Sequence, residues 1–503
     1  MSGATAVKCL IAGSWTDART ERYAEAWNPS VGEVLASVPM CTSEDVDRTV
    51  KGALAAWPAW RETPITDRAR VMFRFQALLS KHAADVARIV SREHGKTLAE
   101  SKASVQRGVE MLEFACGLPS LVVGDLLENI APGVDSETVR HPLGVVVGIT
   151  PFNFPAMVPL WMYPVAITCG NCFILKPSPR VPLSAIRIGE LLMEAGLPEG
   201  VLSIVHGDKE CVDALLTHPD IKAISFVGST PIAKYIYETG TAHGKRVQAA
   251  GGAKNHIIIM PDAEMAPTIA GLKQSAFGCA GERCMAGSLA IPVGEVADEV
   301  VGRLSESAAK MRVGRTDNGD DVDMGPVISR EHMERVKQYI DTAEREGASI
   351  TCDGRTIKVA GAPEGFFVGP TVVDGVKPGM QIAKEEVFGP VLSVARVNSL
   401  EEALALGDQC EFGNGAVIFT RSGRAAREFK HRFNAGMIGI NVGVPAPMAW
   451  FPFTGWNRSF FGDLHIQGKE GMMFYTQQRM TLTRWFEPKM RDVHDPVWRP
   501  GKS

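Results

Sequence analysis

From residue 144 onward the chain alternates short, mostly apolar runs and longer stretches in which apolar residues recur every three or four places. Residues 144–149 (GVVVGI) show the first pattern, that of a strand covered on both faces. The turn Thr150-Pro151-Phe152-Asn153-Phe154-Pro155 ends it, and an apolar helix then runs to about residue 169. Residues 172–175, 202–205 and 223–226 predict three more buried strands. Between them the spacing predicts helices over 182–195 and 208–217, the first stopped by Gly196-Leu197-Pro198. Gly228-Ser229-Thr230 opens another helix over 231–239. Strands and helices alternating at this spacing imply a parallel sheet with right-handed crossovers. The alternation resumes from Asn255 to about Val444, with helices near 264–275, 296–311 and 329–346. Residues 361–372 and 391–397 read as loop and strand.

The flanks differ. Residues 1 to about 50 read as short strands and turns. Two long amphipathic helices are predicted near 66–82 and 83–116, the second with Arg107, Met111 and Phe114 at helical spacing. Residues 120–143 predict an extended strand pair standing apart from the main body. The last 20 residues, rich in Arg, Trp and Pro, read as a strand and a loose tail. The chain shows no internal repeat and no low-complexity linker.

Composition narrows the class. A length of 503 residues allows two to four domains. Hydrophobic content of 45% with 22% charged residues is that of a globular protein. A net charge of −4 gives no reason to expect nucleic acid or an anionic membrane as partner. The first residues lack a signal-peptide core, and no apolar run approaches the roughly 20 residues of a membrane helix. Ten scattered cysteines suggest free thiols in a reducing compartment, so a cytoplasmic location is expected. Cys169 and Cys172 form a CxxC without a second ligand pair, so packing is expected there and no metal site. Gly95-Lys96-Thr97 imitates the end of a phosphate loop, but Val90 stands where the first glycine belongs, inside a charged helical pattern.

Candidate chemistry collects at the ends of the predicted strands and in one loop. The loop is residues 277–287, FGCAGERCMAG, in which Arg283 directly precedes Cys284. Five of its eleven residues are glycine or alanine, which leaves room above the sulfur for a small carbonyl compound. Nearby positive charge favours the nucleophilic thiolate. A buried cysteine in a small-residue turn would look the same in isolation. Lys176 ends one strand, and the Gly228-Ser229 turn ends another at a helix N-terminus. That combination suits a phosphate or ribose-phosphate ligand, although no GxGxxG is present. Asn153 is a candidate oxyanion donor, or else an asparagine serving its turn.

The segments PFNFP, ILKPSP, SFVGST, GGAKN, GERCMA and KEEVFGP, in this order and spacing, resemble the aldehyde dehydrogenase superfamily from about residue 8 to 485. The stretches PFNFPAMVPLWMYPVAI, GAKNH, GVPAPMAWFPFTGW and SFFGDLH resemble its CoA-acylating methylmalonate-semialdehyde (malonate-semialdehyde) dehydrogenases. The resemblance implies an α/β fold. Its parts would be a Rossmann-type parallel-sheet dinucleotide domain over residues 1–122 and 144–253, an α/β catalytic domain over 254–455, and a small β oligomerisation arm and tail over 123–143 and 475–503. It implies Cys284 as nucleophile and Asn153 as oxyanion donor. Thr150, Phe152, Lys176, Pro179, Arg180, Ser229, Gly251 and Glu386 would line the cofactor, with Glu386 on the nicotinamide ribose. Arg107 and Arg283 would bind the substrate carboxylate. NAD is the implied cofactor, with NADP as an alternative, coenzyme A the co-substrate and a homotetramer the implied assembly. Metal is not implied.

Three departures from the wider superfamily stand out. The glutamate that activates water in hydrolytic members is replaced by Ala250, so an acyl-cysteine should wait for a better nucleophile such as the thiol of CoA. Pro179 stands where NAD-dependent relatives often carry a ribose-binding glutamate, and the adjacent Arg180 leaves a 2′-phosphate conceivable. Ala233 replaces a frequent glycine after the Gly-Ser turn. Malonate-type semialdehydes would lose their β-carboxylate as CO2 and leave as acyl-CoA. The rival readings are a hydrolytic dehydrogenase that releases a free acid and a non-catalytic relative.

Overall fold

The run Val145–Ile149, with every residue buried, is an interior strand of an eight-stranded sheet. The computed structural model describes residues 5–319 and 321–486. In spatial order the sheet is Ser14–Thr16, Cys9–Ile11, Leu202–Ile204, Cys172–Lys176, Val145–Ile149, Ile221–Val227, Arg246–Ala250 and Phe460–Phe461. The five strands from Leu202–Ile204 to Arg246–Ala250 are parallel, and antiparallel pairs cap both edges. From Val145–Ile149 the chain builds first to one side and later to the other. Such a reversal opens a crevice at the carboxyl ends of the strands beside it.

A second sheet repeats the plan with seven strands: Ser349–Cys352, Thr371–Asp374, Val391–Val394, Gly287–Pro292, Asn255–Ile259, Gly415–Phe419 and Met437–Ile440. All neighbours are parallel except the first pair. Each sheet has its own apolar core. Burying one Val, Leu or Ile side chain contributes about 1.5–3 kcal/mol. That is why most positions in these strands are apolar. The helix Met157–Thr168, with only its first residue not buried, packs under the first sheet and against the helix Leu98–Cys116. Among the described residues no helix is long and apolar enough to cross a membrane.

A third sheet stands apart, in the order Thr476–Arg484, Val134–Pro142, Leu126–Ala131. Its longest pairing runs from Thr476 opposite Pro142 to Arg484 opposite Val134. Leu126, Leu127, Met480 and Leu482 on it are exposed. The expected strand pair over 120–143 is therefore two strands of three. The third strand falls almost wholly before the last 20 residues, within which a strand was expected, and residues 487–503 of that tail lie outside the described residues.

Two predicted elements need correction near the N-terminus. The helix Ser43–Glu62 begins inside the stretch expected to hold only strands and turns. Its entry is a capping box between Thr42 and Asp45, and it buries Val46, Val50, Ala53 and Trp60. The predicted helix 83–116 is two helices, Ala83–His94 and Leu98–Cys116. Gly95 adopts φ +93° and ends the first, while Thr97 caps the second by accepting from the Glu100 N–H. The apolar spacing carries across this break, so periodicity alone read it as continuous. Gly95-Lys96-Thr97 is thus a helix junction and not an interior segment. Lys96 is buried with its ammonium over the Phe154 ring.

Candidate active site

The crevice beside Val145–Ile149 holds a cavity of about 460 Å³. Thr150, Phe152 and Asn153 come from the turn that follows this strand. Lys176, Pro179 and Arg180 follow the next strand, and Ser229 ends the one on the other side. Gly251 follows the strand Arg246–Ala250, and Cys284 and Glu386 complete the wall from the second half of the chain. Ser229 is the N-cap of the helix Thr230–Ala242 but makes no side-chain capping bond. The first-turn N–H groups of that helix thus lie at the mouth of the crevice, a favourable place for an anion. Lys176 is buried and donates to the Gly207 carbonyl at 3.2 Å, and burial pulls its ammonium below the ordinary lysine range. Thr150 Oγ1 is buried without a partner at the same strand end. An open helix start, a lysine and an unpaired hydroxyl at adjacent strand ends fit a dinucleotide. Arg180 lies over the Phe152 ring and 3.7 Å from Glu331.

Cys284 reaches this cavity by way of a strained loop. After the helix Met265–Phe277, Cys279 and Ala280 have φ of +53° and +51°, and Gly281 follows at +71°. Non-glycine residues pay roughly 1–2 kcal/mol each for that conformation. The surroundings hold it: Glu100 accepts from the Cys279 N–H at 2.6 Å, and a Cβ on Gly281 would lie 2.0 Å from the Gly389 carbonyl oxygen. The Cys284 carbonyl accepts from Asn255 Nδ2 and Asn414 Nδ2, both at 2.8 Å. Asn153 Nδ2 donates to the Glu282 carbonyl at 3.0 Å, which fixes the amide beside the same loop.

A second cavity, about 280 Å³, meets the first at Cys284. Arg107, Trp161, Arg283, Met285 and Phe453 are among its walls. Arg107 and Arg283 are therefore brought to one space, but each guanidinium is already engaged. Arg107 pairs with Glu110 at 2.9 Å and lies against Met448. Arg283 donates to the Gln274 and Ser275 carbonyls, and its Nε is buried unpaired.

The electrostatics correct one expectation. Arg283 does favour the thiolate of Cys284, but burial first, and then the Glu386 carboxylate, outweigh it and push the thiol up to about 12. Burial also raises Glu386 to about 7, while its Oε1 accepts from the Ala253 N–H at 3.1 Å. Cys169 and Cys172 are buried and pushed up to about 12, as inert packing thiols are. Ala250 ends its strand fully packed, and Ala233 is wholly buried.

Several residues of the site had no sequence signal of their own. Asn414 comes from the turn before Gly415–Phe419 and carries no motif. Asn255 was visible only as the end of GGAKN. Glu282 was hidden in GERC beside the cysteine. His94 and His332 are far from it in sequence, yet lie 3.8 Å and 3.6 Å from its carboxyl.

The family model for the aldehyde dehydrogenase family matches residues 15–481. The malonate-semialdehyde dehydrogenase 1 of Geobacillus thermodenitrificans (strain NG80-2) is 50% identical over 486 residues, 96% of this chain and 100% of that protein. The crystal structure of a methylmalonate-semialdehyde dehydrogenase from Oceanimonas doudoroffii is 49% identical, with a TM-score of 0.94 over 96% of this chain and 99% of that one. A Sinorhizobium meliloti 1021 protein solved in complex with NAD is 45% identical, with a TM-score of 0.95 over 97% and 99%. With its two parallel sheets and a strained cysteine loop between two cavities, this chain belongs to the aldehyde dehydrogenase family and is an enzyme of aldehyde oxidation.

Proposed function

We propose that this enzyme oxidises malonate or methylmalonate semialdehyde with NAD and transfers the acyl group to coenzyme A. The observation that carries the reading is Ala250, at the end of the strand Arg246–Ala250, where the hydrolytic relatives place a base. The names of the Geobacillus and Oceanimonas relatives and the NAD bound in the Sinorhizobium structure support the substrate and the cofactor.

Cys284 Sγ attacks the aldehyde carbon, and the Asn153 amide steadies the oxygen that gains charge. Arg107 and Arg283 hold the substrate carboxylate in the smaller cavity, exchanging their present partners for it. Thr150, Lys176, Ser229 and Glu386 hold the dinucleotide, with Phe152, Pro179, Arg180 and Gly251 shaping its walls. When bound, the nicotinamide supplies the hydride acceptor. Cys284 is left as an acyl thioester. No carboxylate at position 250 can deprotonate water, so the thioester lasts. The bond from the β-carboxylate to the α-carbon breaks, CO2 leaves, and the electron pair on the α-carbon takes a proton. The CoA thiolate then attacks the carbonyl, and Cys284 Sγ departs.

The deciding experiment measures NADH formation from malonate semialdehyde with and without CoA and identifies the product. Strong stimulation by CoA with acetyl-CoA formed is expected, and propionyl-CoA from the methylmalonate compound. The Cys284→Ala variant should show no turnover. Brisk CoA-independent release of a free acid would replace this reading with a hydrolytic one.

A further inference from the structure

Behind the wall between the larger cavity and the cysteine loop lies a closed set of polar groups that the chemistry above does not use. Glu282, two residues before Cys284, has no exposed surface. Its Oε1 accepts from the Ile328 N–H at 3.0 Å, and its Oε2 has no hydrogen-bond partner. His94 Nε2 lies 3.8 Å from Oε2, and His332 Nε2 lies 3.6 Å from Oε1. Both nitrogens of His94 and the ammonium of Lys96 are also buried without partners.

These groups close a ring of contacts. His332 Nε2 donates to the Phe388 carbonyl at 2.7 Å. Phe388 has φ +58° and meets the Phe152 ring edge-on at 5.8 Å. Phe152 stacks on His94 at 6.0 Å, which returns to Glu282. The Glu282 carbonyl accepts from Asn153 Nδ2. Phe152, Phe388 and His332 are also walls of the larger cavity.

We propose that Glu282 is a positioning residue for the oxidation step: its side chain holds this ring together and so sets Asn153 against the aldehyde oxygen and the Phe152–Phe388 wall against the cofactor. The arrangement suits an uncharged carboxyl. Burial raises Glu282 to about 8 and lowers His332 to about 4, with His94 also well below its usual range. The charged groups facing Glu282 are Lys96, from the junction after Ala83–His94, and Arg180, after the strand Cys172–Lys176. Glu331 and Arg335 face His332 from its own helix. An ionised Glu282 would draw the Nε2–H of His332 from the Phe388 carbonyl and release that turn. The active form is the protonated one, so the rise in rate that the growing Cys284 thiolate brings levels off as pH passes about 8. Ionisation of Cys284, held up to about 12, gives no levelling of its own in this range.

The test is the single-turnover burst of NADH from aldehyde without CoA, between about pH 6 and 9.5, in the wild type, Glu282→Gln and Glu282→Ala. Glu282→Gln should keep the neutral-pH rate within about threefold and keep rising where the wild type levels off, because the amide keeps the shape without the titration. Glu282→Ala should lose about 10- to 100-fold at every pH, the scale of a small misplacement of reacting groups. The same levelling near pH 8 in Glu282→Gln, or a wild-type rate in Glu282→Ala, overturns the proposal. If Glu282→Ala does not fold, the pH profile of Glu282→Gln decides alone. The inference rests on the role given to Asn153: a harmless Asn153→Ala takes both down, whereas a damaging one with silent Glu282 variants removes only this inference. CoA is absent throughout, so the acyl-transfer reading stands or falls separately.

Discussion

The two cavities that share Cys284 are built from different materials. The larger is lined mainly by strand ends and the turns that follow them, with Thr150, Lys176 and Ser229 among its polar residues. The smaller is made of side chains that arrive from distant parts of the chain: Arg107 and Trp161 on two helices, Arg283 and Met285 in the cysteine loop, Phe453 near the C-terminal end. A cavity made of strand ends tolerates little change in the scaffold, because any shift moves the sheet. A cavity made of side chains can change its ligand one residue at a time. On the function proposed above, the oxidation machinery belongs to the first and the choice of aldehyde to the second.

The largest effect should come from the border between them. Asn153→Ala removes the amide fixed beside the cysteine loop, and kcat should fall by about 10²–10³ with little change in affinity for the dinucleotide. Equal loss in kcat and in dinucleotide binding would mean that Asn153 serves the turn and not the oxyanion.

The free thiol gives the next effect. Because burial and Glu386 hold Cys284 up to about 12, its alkylation rate in the enzyme without ligands should rise roughly tenfold per pH unit between about pH 7 and 9. The sign follows from the raised value: the reactive thiolate is the minor form and grows with pH. A plateau below about pH 8 would show that the thiolate is already formed and that Arg283 governs it.

The smallest effect separates the cavities most sharply. Arg107→Ala should lower kcat/KM for a semialdehyde bearing a carboxylate about tenfold more than for an uncharged aldehyde of similar size, the scale of one charge-assisted hydrogen bond. Parallel losses on both substrates would place Arg107 in packing, with Glu110 as its true partner.

Much of the fold was legible because buried parallel strands leave a plain record. Val145–Ile149 and most of Cys172–Lys176 each read as a short apolar run because both faces are covered. The cysteine loop was legible because GERCMA puts a nucleophile among small residues. The helix Ser43–Glu62 was not, since Pro58 and a mixed surface blur its period. The break at Gly95 was not, because the apolar spacing continues across it. The thiol was misjudged for a different reason. An adjacent arginine is visible in sequence, whereas the desolvation that outweighs it is a property of the folded site.

Sequence by itself determined the alternation of strands and helices, the residues at the strand ends, and the absence of a base at position 250. Each is a local property of side-chain type and spacing. Tertiary structure alone decided that Asn255 and Asn414 together hold the Cys284 carbonyl, that Arg107 and Arg283 share a cavity while engaged elsewhere, and that His94, Glu282 and His332 meet behind the wall of the larger cavity. Those contacts join segments separated by tens to hundreds of residues. Their strength comes from burial, which no single stretch of the chain encodes.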